Sequence, residues 1–298
     1  VISERRATGL IFLAACGYGT LSVVTTLTSR VGVALIALMA WRYTLAAPLL
    51  VVASGGPRAL RIPLGRALAL VLLGGGGQTL VTWLSLSSLQ WLSAAQLGFL
   101  FYTYPAWVAV FGALSGHERL SGTRVGALVL ALSGIVLMVG TPWSTTLPFA
   151  GLSRALGSAM IYAAYIPLLH RLRGPLSAAV ASSYVIAGAA IVFVAWAWFT
   201  GLLFDGLTPF VWMLIAVIAV FSTAMAFIVF LRGLEVLGPV RTAILSTAEP
   251  FYTAILAALV LGQAIGPSTL AGGVCIIIAI MLLQQSASPP IPDAPLPD

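Results

Sequence analysis

The chain is poor in charge. Of its 298 residues only 7% are Asp, Glu, Lys or Arg, while 60% are hydrophobic and the mean hydropathy is +1.09. Soluble domains carry roughly 25% charged residues, so an ordinary water-soluble globule is excluded, and so is a disordered chain. Lysine is absent: all 14 basic residues are Arg. A Gly-rich phosphate loop ending in Lys therefore cannot be built, and direct ATP hydrolysis by this chain is unsupported. The two cysteines, Cys16 and Cys275, lie in apolar runs at opposite ends of the sequence. They read as small buried side chains, not as a disulfide or metal site. The two histidines, His117 and His170, lie near predicted helix ends, so no metal cluster and no Ser/His/Asp set can be assembled. The reading is therefore no enzyme, no metal and no cofactor.

What remains is long apolar runs. A spanning helix needs about 20 apolar residues, so the length accommodates about ten spans. They are predicted near 7–28, 31–53, 66–87, 94–115, 121–140, 150–170, 176–201, 208–231, 240–262 and 266–284. Gly55-Gly56-Pro57, Ser121-Gly122, Thr141-Pro142, Arg173-Gly174-Pro175, Gly238-Pro239 and Gly266-Pro267 mark the breaks. The first run is long enough to span and carries no small-residue cleavage site, which predicts a span and not a cleaved leader. The Pro-rich tail, 286–298, reads as an extended, disordered cytoplasmic end.

The net charge of +7 sits on arginines spread thinly between apolar runs, which favours topology determination over nucleic-acid binding. With ten spans both termini share one side. Arg5, Arg6, Arg58, Arg61, Arg66, Arg119, Arg124, Arg171, Arg173, Arg232 and Arg241 fall on that side, and only Arg30 and Arg154 near the other. The positive-inside rule then makes both termini cytoplasmic. Trp91, Trp143, Trp196, Trp198 and Trp212 map to the opposite interface, as an aromatic belt would.

Shifting the chain by 145 residues superposes the third to fifth spans on the eighth to tenth without a gap. Leu86 meets Leu231, Leu100 meets Leu245, and Pro105 meets Pro250. The paired mid-helix prolines are the informative match, because Pro inside a helix costs about 3 kcal/mol. The charges alternate: Arg232, Glu235 and Arg241 meet Ser87, Gln90 and Gln96, while His117, Glu118, Arg119 and Arg124 meet Gly262, Gln263, Ala264 and Thr269. A five-helix unit has an odd number of crossings, so its second copy enters from the other side. Arginines must then swap loops for both copies to obey one topology rule. The expected fold is an all-α integral membrane protein of ten transmembrane helices in two inverted five-helix repeats. The units are residues 1–140, a periplasmic linker 141–149, residues 150–285, and the tail.

The segment from Thr103 to Gly140, with Pro105, Gly116-His117-Glu118-Arg119 and Gly126, resembles the end of a repeat of the EamA family. The segment Ala248 to Gly266, with Glu249-Pro250, resembles its second copy, and Arg42 matches the family's arginine in the second span. Gln263 departs from the usual Glu, and His117 from a common Gly. The resemblance implies the drug/metabolite transporter superfamily, with aromatic amino-acid exporters the nearest likeness. It also implies a cavity lined by spans 1, 3, 4, 6, 8 and 9.

Polar and aromatic residues at i, i+4, i+7 spacing mark one face of several spans: Tyr18, Ser22 and Thr25; Gln78, Thr82 and Ser85; Ser158, Tyr162 and Tyr165; Thr242, Ser246, Glu249 and Thr253. Phe101 and Tyr104 occupy the positions equivalent to Ser246 and Glu249. Interhelical glue explains some of these; four stripes crossing the midplane favour a cavity. The candidate substrate-binding set is Tyr18, Gln78, Thr82, Phe101, Tyr104, Tyr162, Tyr165, Ser246 and Glu249. The amide of Gln78 could bind a zwitterion's polar head and the rings could stack on a planar side chain. Glu249 could titrate a driving proton, bind a substrate ammonium, or pair with Arg241 or Arg232. Arg42 reads as snorkelling or clamping carbonyls. Pro105 and Pro250 are candidate gating hinges.

The expectation is a multi-pass carrier in a bacterial inner membrane. It exports aromatic or other neutral amino acids by alternating access, works as a monomer in the lipid bilayer without nucleic acid, and has protons as a candidate coupling ion. A cationic-drug exporter of the same fold is the first rival; a channel or an intramembrane enzyme is the second.

Overall fold

A computed structural model describes residues 3–114, 122–139 and 147–285 of the chain. His117, Glu118, Arg119, Thr141-Pro142, Trp143, most of the expected linker and the tail lie outside these residues, as do the side chains of Arg124 and Arg241.

All regular structure among the described residues is helical. Seven helices are long and apolar enough to span a membrane: Glu4–Arg30, Leu35–Ala53, Leu64–Gln90, Ala94–Gly112, Phe149–Arg173, Ala178–Phe199 and Pro209–Leu237. Three shorter apolar helices, Val125–Leu137, Ala248–Leu261 and Pro267–Leu283, fall where the fifth, ninth and tenth spans are expected. The chain is therefore a ten-helix, multi-pass membrane protein. Its outward faces carry large apolar side chains such as Leu72, Val136, Ile191 and Leu259, as lipid contact requires. Ser93, Ser177 and Thr208 start the fourth, seventh and eighth spans by accepting backbone N–H bonds from Gln96, Val180 and Val211.

The eighth and ninth spans are joined through helix Ala226–Ser246. Gly17 lies against Ala226 and Gly233 against Ile11, so the chain first runs antiparallel to the first span. Gly19 then meets Glu249, and Arg30 donates to the Leu261 carbonyl at 3.1 Å, so the ninth span runs parallel to the first. The reversal falls between Gly233 and Glu249; helix Ala226–Ser246 runs through Gly238-Pro239, where the sequence predicts a break, and is first interrupted at Thr247.

The two repeats pack into each other symmetrically. Each first helix (spans one and six) packs on the third and fourth helices of the other repeat. The two second helices (spans two and seven) face each other, and so do the two fifth helices (spans five and ten). Spans three and seven meet backbone to backbone: a Cβ on Gly74 would lie 2.0 Å from the Val185 carbonyl oxygen, and one on Gly188 2.1 Å from that of Val71. Only glycine allows that approach.

Two irregularities recur in both copies. The third span contains a π-helical turn at Gly74–Gln78 and the eighth one at Val220–Met225; the 145-residue shift carries the former onto 219–223. In each, a threonine hydroxyl bonds the carbonyl five residues back, Thr79 to Gly74 at 3.2 Å and Thr223 to Ile218 at 2.8 Å. The fourth span breaks at Tyr102-Thr103, between Ala94–Phe101 and Tyr104–Leu114, and the ninth begins anew after Thr247. The same shift relates these breaks, and each precedes the equivalent proline of its copy, Pro105 or Pro250. Gln263 joins the copies at one end, its side-chain oxygen accepting from the Ala94 backbone N–H at 3.0 Å.

The tryptophans do more than line an interface. Trp91 and Trp198 are exposed, but Trp212 packs on Trp41 at 4.8 Å and Trp196 on Trp83 at 5.8 Å. The Arg154 guanidinium lies 4.3 Å from the Trp91 ring centroid and 5.7 Å from that of Trp83, a cation–π contact that holds this arginine at the sparsely charged side.

Candidate functional site

The helix breaks and π turns surround a cavity of about 590 Å³. All nine candidate substrate-binding residues line it: Tyr18, Gln78, Thr82, Phe101, Tyr104, Tyr162, Tyr165, Ser246 and Glu249. Pro105 lines it as well. Pro250 does not; it is buried and packs against Gly98, where an added Cβ would lie 3.5 Å away. The lining is wider than the six spans the resemblance implies. Arg42 and Tyr43 enter from the second span, Ser182 from the seventh and Ile280 from the tenth.

One wall is aromatic. Tyr162 packs on Phe101 at 5.2 Å, edge-on to Tyr104 at 5.0 Å, and parallel to Tyr165 at 5.9 Å. The fourth span delivers Phe101 and Tyr104 from the two sides of its break, and the sixth delivers Tyr162 and Tyr165 from one face. Such offset and edge-to-face arrangements are the favoured geometries of packed aromatic rings.

The remaining wall is polar. Tyr43 Oη and Thr82 Oγ1 lie 2.8 Å apart, and Gln78 Nε2 donates to them at 3.3 Å and 3.2 Å. Gln78 sits at the end of its π turn, which is how the third span presents an amide beside the hydroxyl of the second. Arg42 is buried at 7% exposure; its Nε donates to Thr223 Oγ1 at 2.9 Å, and its guanidinium lies 4.7 Å from the Tyr43 ring centroid. The hydroxyls of Ser222 and Thr242 also line the cavity and have no hydrogen-bond partner among the described residues. Buried hydroxyls without partners are costly, and here they border a space that a polar guest can fill.

Glu249 follows the break of the ninth span. Its Oε2 accepts from Tyr102 Oη at 2.8 Å, and the same phenol lies 2.7 Å from the Ser246 carbonyl oxygen. That carbonyl is the one Pro250 cannot serve, because proline has no N–H. Of the arginines considered as its partner, Arg232 is exposed, and the side chain of Arg241 is outside the described residues. Among the described residues the carboxylate's hydrogen-bond partner is a phenol, not an arginine.

Three stripe residues are packing groups. Ser158 is fully buried and bonds the Ala155 carbonyl at 2.7 Å; Thr253 bonds the Glu249 carbonyl at 2.9 Å and abuts Gly19. Thr25 is buried, off the cavity, and its hydroxyl has no partner among the described residues. Arg42, Tyr43, Tyr102, Ser182, Ser222 and Thr223 are polar or aromatic lining residues that spacing alone did not single out. Among the described residues no group of three His, Cys, Asp or Glu comes together, and Cys16 and Cys275 are free.

Ten spans in two inverted repeats, with a polar and aromatic cavity between paired helix breaks, define a membrane transporter. A sequence model of the EamA-like transporter family matches residues 5–140 and again 149–284. The chain belongs to that family, and through it to the drug/metabolite transporter superfamily. Among curated proteins there is no match. One solved structure, described only as the crystal structure of a protein, is 20% identical. It aligns with a TM-score of 0.64 over 94% of this chain and 96% of its own, a likeness of fold.

Proposed function

We propose that this transporter exports aromatic or other neutral amino acids across a bacterial inner membrane, both termini in the cytoplasm, working as a monomer. The two repeats rock about the cavity and expose it to either side in turn. One observation carries the reading: a single cavity has the packed rings of Phe101, Tyr104, Tyr162 and Tyr165 on one wall and the Gln78 amide, hydroxyls and the Arg42 guanidinium on the other. Its volume, about 590 Å³, falls within the usual range for small-molecule sites. A guest with one flat apolar end and one polar end matches both walls at once. The paired breaks before Pro105 and Pro250 are the hinges of this scheme, and Glu249 is the cavity group able to carry a coupling proton.

A cationic amphiphile is the second reading, because a carboxylate beside aromatic rings also suits an organic cation. Counterflow in proteoliposomes separates the two. Vesicles preloaded with unlabelled tryptophan or phenylalanine are expected to accumulate the labelled compound saturably, and Gln78→Ala or Tyr162→Ala to lose this. Accumulation driven only by a quaternary ammonium would keep the carrier and overturn the amino-acid reading. Conductance far above carrier rates, without exchange acceleration, would instead indicate a channel.

A further inference from the structure

Arg42 and Glu249 are opposite charges lining one cavity, and neither is used up on the other. The arginine's partners among the described residues are neutral: Thr223 Oγ1 on Nε, Met39 Sδ at 3.5 Å from Nη1, and the face of Tyr43. A guanidinium has five N–H donors in a fixed fork, so most of its capacity for a planar anion is unspent. Glu249 holds one phenolic donor through Oε2, and no hydrogen bond to Oε1 is found among the described residues. Charges buried among spanning helices are costly unless compensated. The compensation missing at both residues is an ion of the opposite sign, and the space between the repeats is where such an ion can enter.

A clamp that merely tied the second span to the eighth would need only the Thr223 bond. The π turn of the eighth span adds to this by placing Thr223 Oγ1 on the guanidinium's Nε edge. With Nε so held and the plane supported by the Tyr43 ring, Nη2 and the Nη1 hydrogen not directed at Met39 are the parts left for a ligand. This is the edge that binds a carboxylate with two parallel hydrogen bonds.

We propose that Arg42 and Glu249 bind the two ends of a zwitterion, the guanidinium taking the carboxylate of an α-amino acid and the Glu249 carboxylate its ammonium. This deepens the amino-acid reading above and rests on it. Arg42 is then a specificity-determining residue: it rejects amines that lack a carboxylate, and so excludes the cationic amphiphiles that Glu249 and the rings would otherwise accept. Thr223 and Tyr43 act through it, as positioning residues.

The test is a matrix of truncated ligands against charge-neutralised variants. Tryptophan, tryptamine (no carboxylate) and indole-3-propionate (no ammonium) compete with labelled tryptophan in counterflow, using wild type, Arg42→Gln, Arg42→Lys and Glu249→Gln. Thermal melting of each purified variant shows that it is folded. In the wild type each truncated analogue is expected to compete about tenfold or more weakly than tryptophan, the loss of one charge-assisted contact. Arg42→Gln should weaken tryptophan by a similar factor and strengthen tryptamine, because the buried positive charge that opposes an amine without a carboxylate is gone. Glu249→Gln should weaken tryptophan and spare indole-3-propionate, and Arg42→Lys should restore part of the loss. Equal weakening of tryptophan and tryptamine by both Arg42 variants would assign Arg42 a structural role and overturn the proposal. So would tryptamine competing as well as tryptophan in the wild type. Absence of counterflow with tryptophan, phenylalanine and threonine alike, from folded protein, would overturn the amino-acid reading together with this one.

Discussion

The proline at 250 leaves the Ser246 carbonyl without its helical donor, and the Tyr102 phenol from the other repeat stands 2.7 Å from that oxygen while also meeting Glu249. A side chain thus replaces a missing backbone N–H. Tyr102→Phe removes this donor from a buried acceptor pair, a loss of about 1–3 kcal/mol. Pro250→Ala returns an N–H to Ser246. The two changes are therefore expected to be non-additive: the tyrosine should matter less to the melting temperature once Pro250 is gone. Additive effects in a double-mutant cycle would show that the phenol serves Glu249 alone. Glu249 and Pro250 are legible in the sequence because an intramembrane carboxylate and a mid-helix proline stand out singly. Tyr102 is hidden there because the i, i+4, i+7 spacing assumes an unbroken helix. The break at Tyr102-Thr103 rephases the fourth span and brings Phe101, Tyr102 and Tyr104 together on one cavity. Arg42 reads from its sequence position as a snorkelling group; its place beside Thr223 depends on a π turn in a distant helix.

At the scale of the helix, the π turns explain how regular spans present side chains inward. An extra residue in a turn rotates the rest of the helix about its axis, and such turns gather at functional sites. The Gly74-Gly75-Gly76-Gly77 run is visible in the sequence as punctuation, whereas Val220–Met225 contains no such mark and is predictable only through the repeat. The glycines also divide by role. Gly74→Ala drives a Cβ to 2.0 Å from the Val185 carbonyl oxygen and should force spans three and seven apart, costing on the order of 3 kcal/mol. Gly76→Ala meets nothing within 4 Å and should be neutral or slightly stabilising. Melting curves of the two variants in detergent check this pair, and equal behaviour would deny the backbone-to-backbone contact. The proline breaks lead to a different expectation, in rate. Pro105→Ala and Pro250→Ala should retain ligand binding yet slow counterflow, since each restores a continuous helix where the scheme requires a bend. Unchanged counterflow in both would remove the hinges from the scheme.

For the whole molecule, orientation follows from where the two copies place their arginines. The loop after the second span holds Arg58 and Arg61; its counterpart after the seventh holds only Asp205. Contacts agree on which loops share a side. The Tyr184 hydroxyl donates to the Leu60 carbonyl, and the Arg66 guanidinium lies beside Gly174, so the loops after spans two and six meet at one end. At the other end, Trp41 Nε1 donates to the Leu203 carbonyl at 2.8 Å and Gly206 lies against Val33, joining the loops after spans one and seven. Inversion is legible in the sequence because membrane topology writes itself in charge, and the count of ten comes from the length of apolar runs. Interdigitation of the repeats is not legible, because helix partners in an apolar chain are chosen by shape. The arginine-rich end should face the cytoplasm. In a background with Cys16 and Cys275 replaced by Ala, Asp205→Cys is expected to react with a membrane-impermeant maleimide in intact cells. Ser3→Cys and Arg58→Cys should react only after permeabilisation. Labelling of Ser3→Cys and Asp205→Cys from the same side would require an even number of crossings between them, contradicting the seven spans that separate these positions and, with them, the inverted relation of the two repeats.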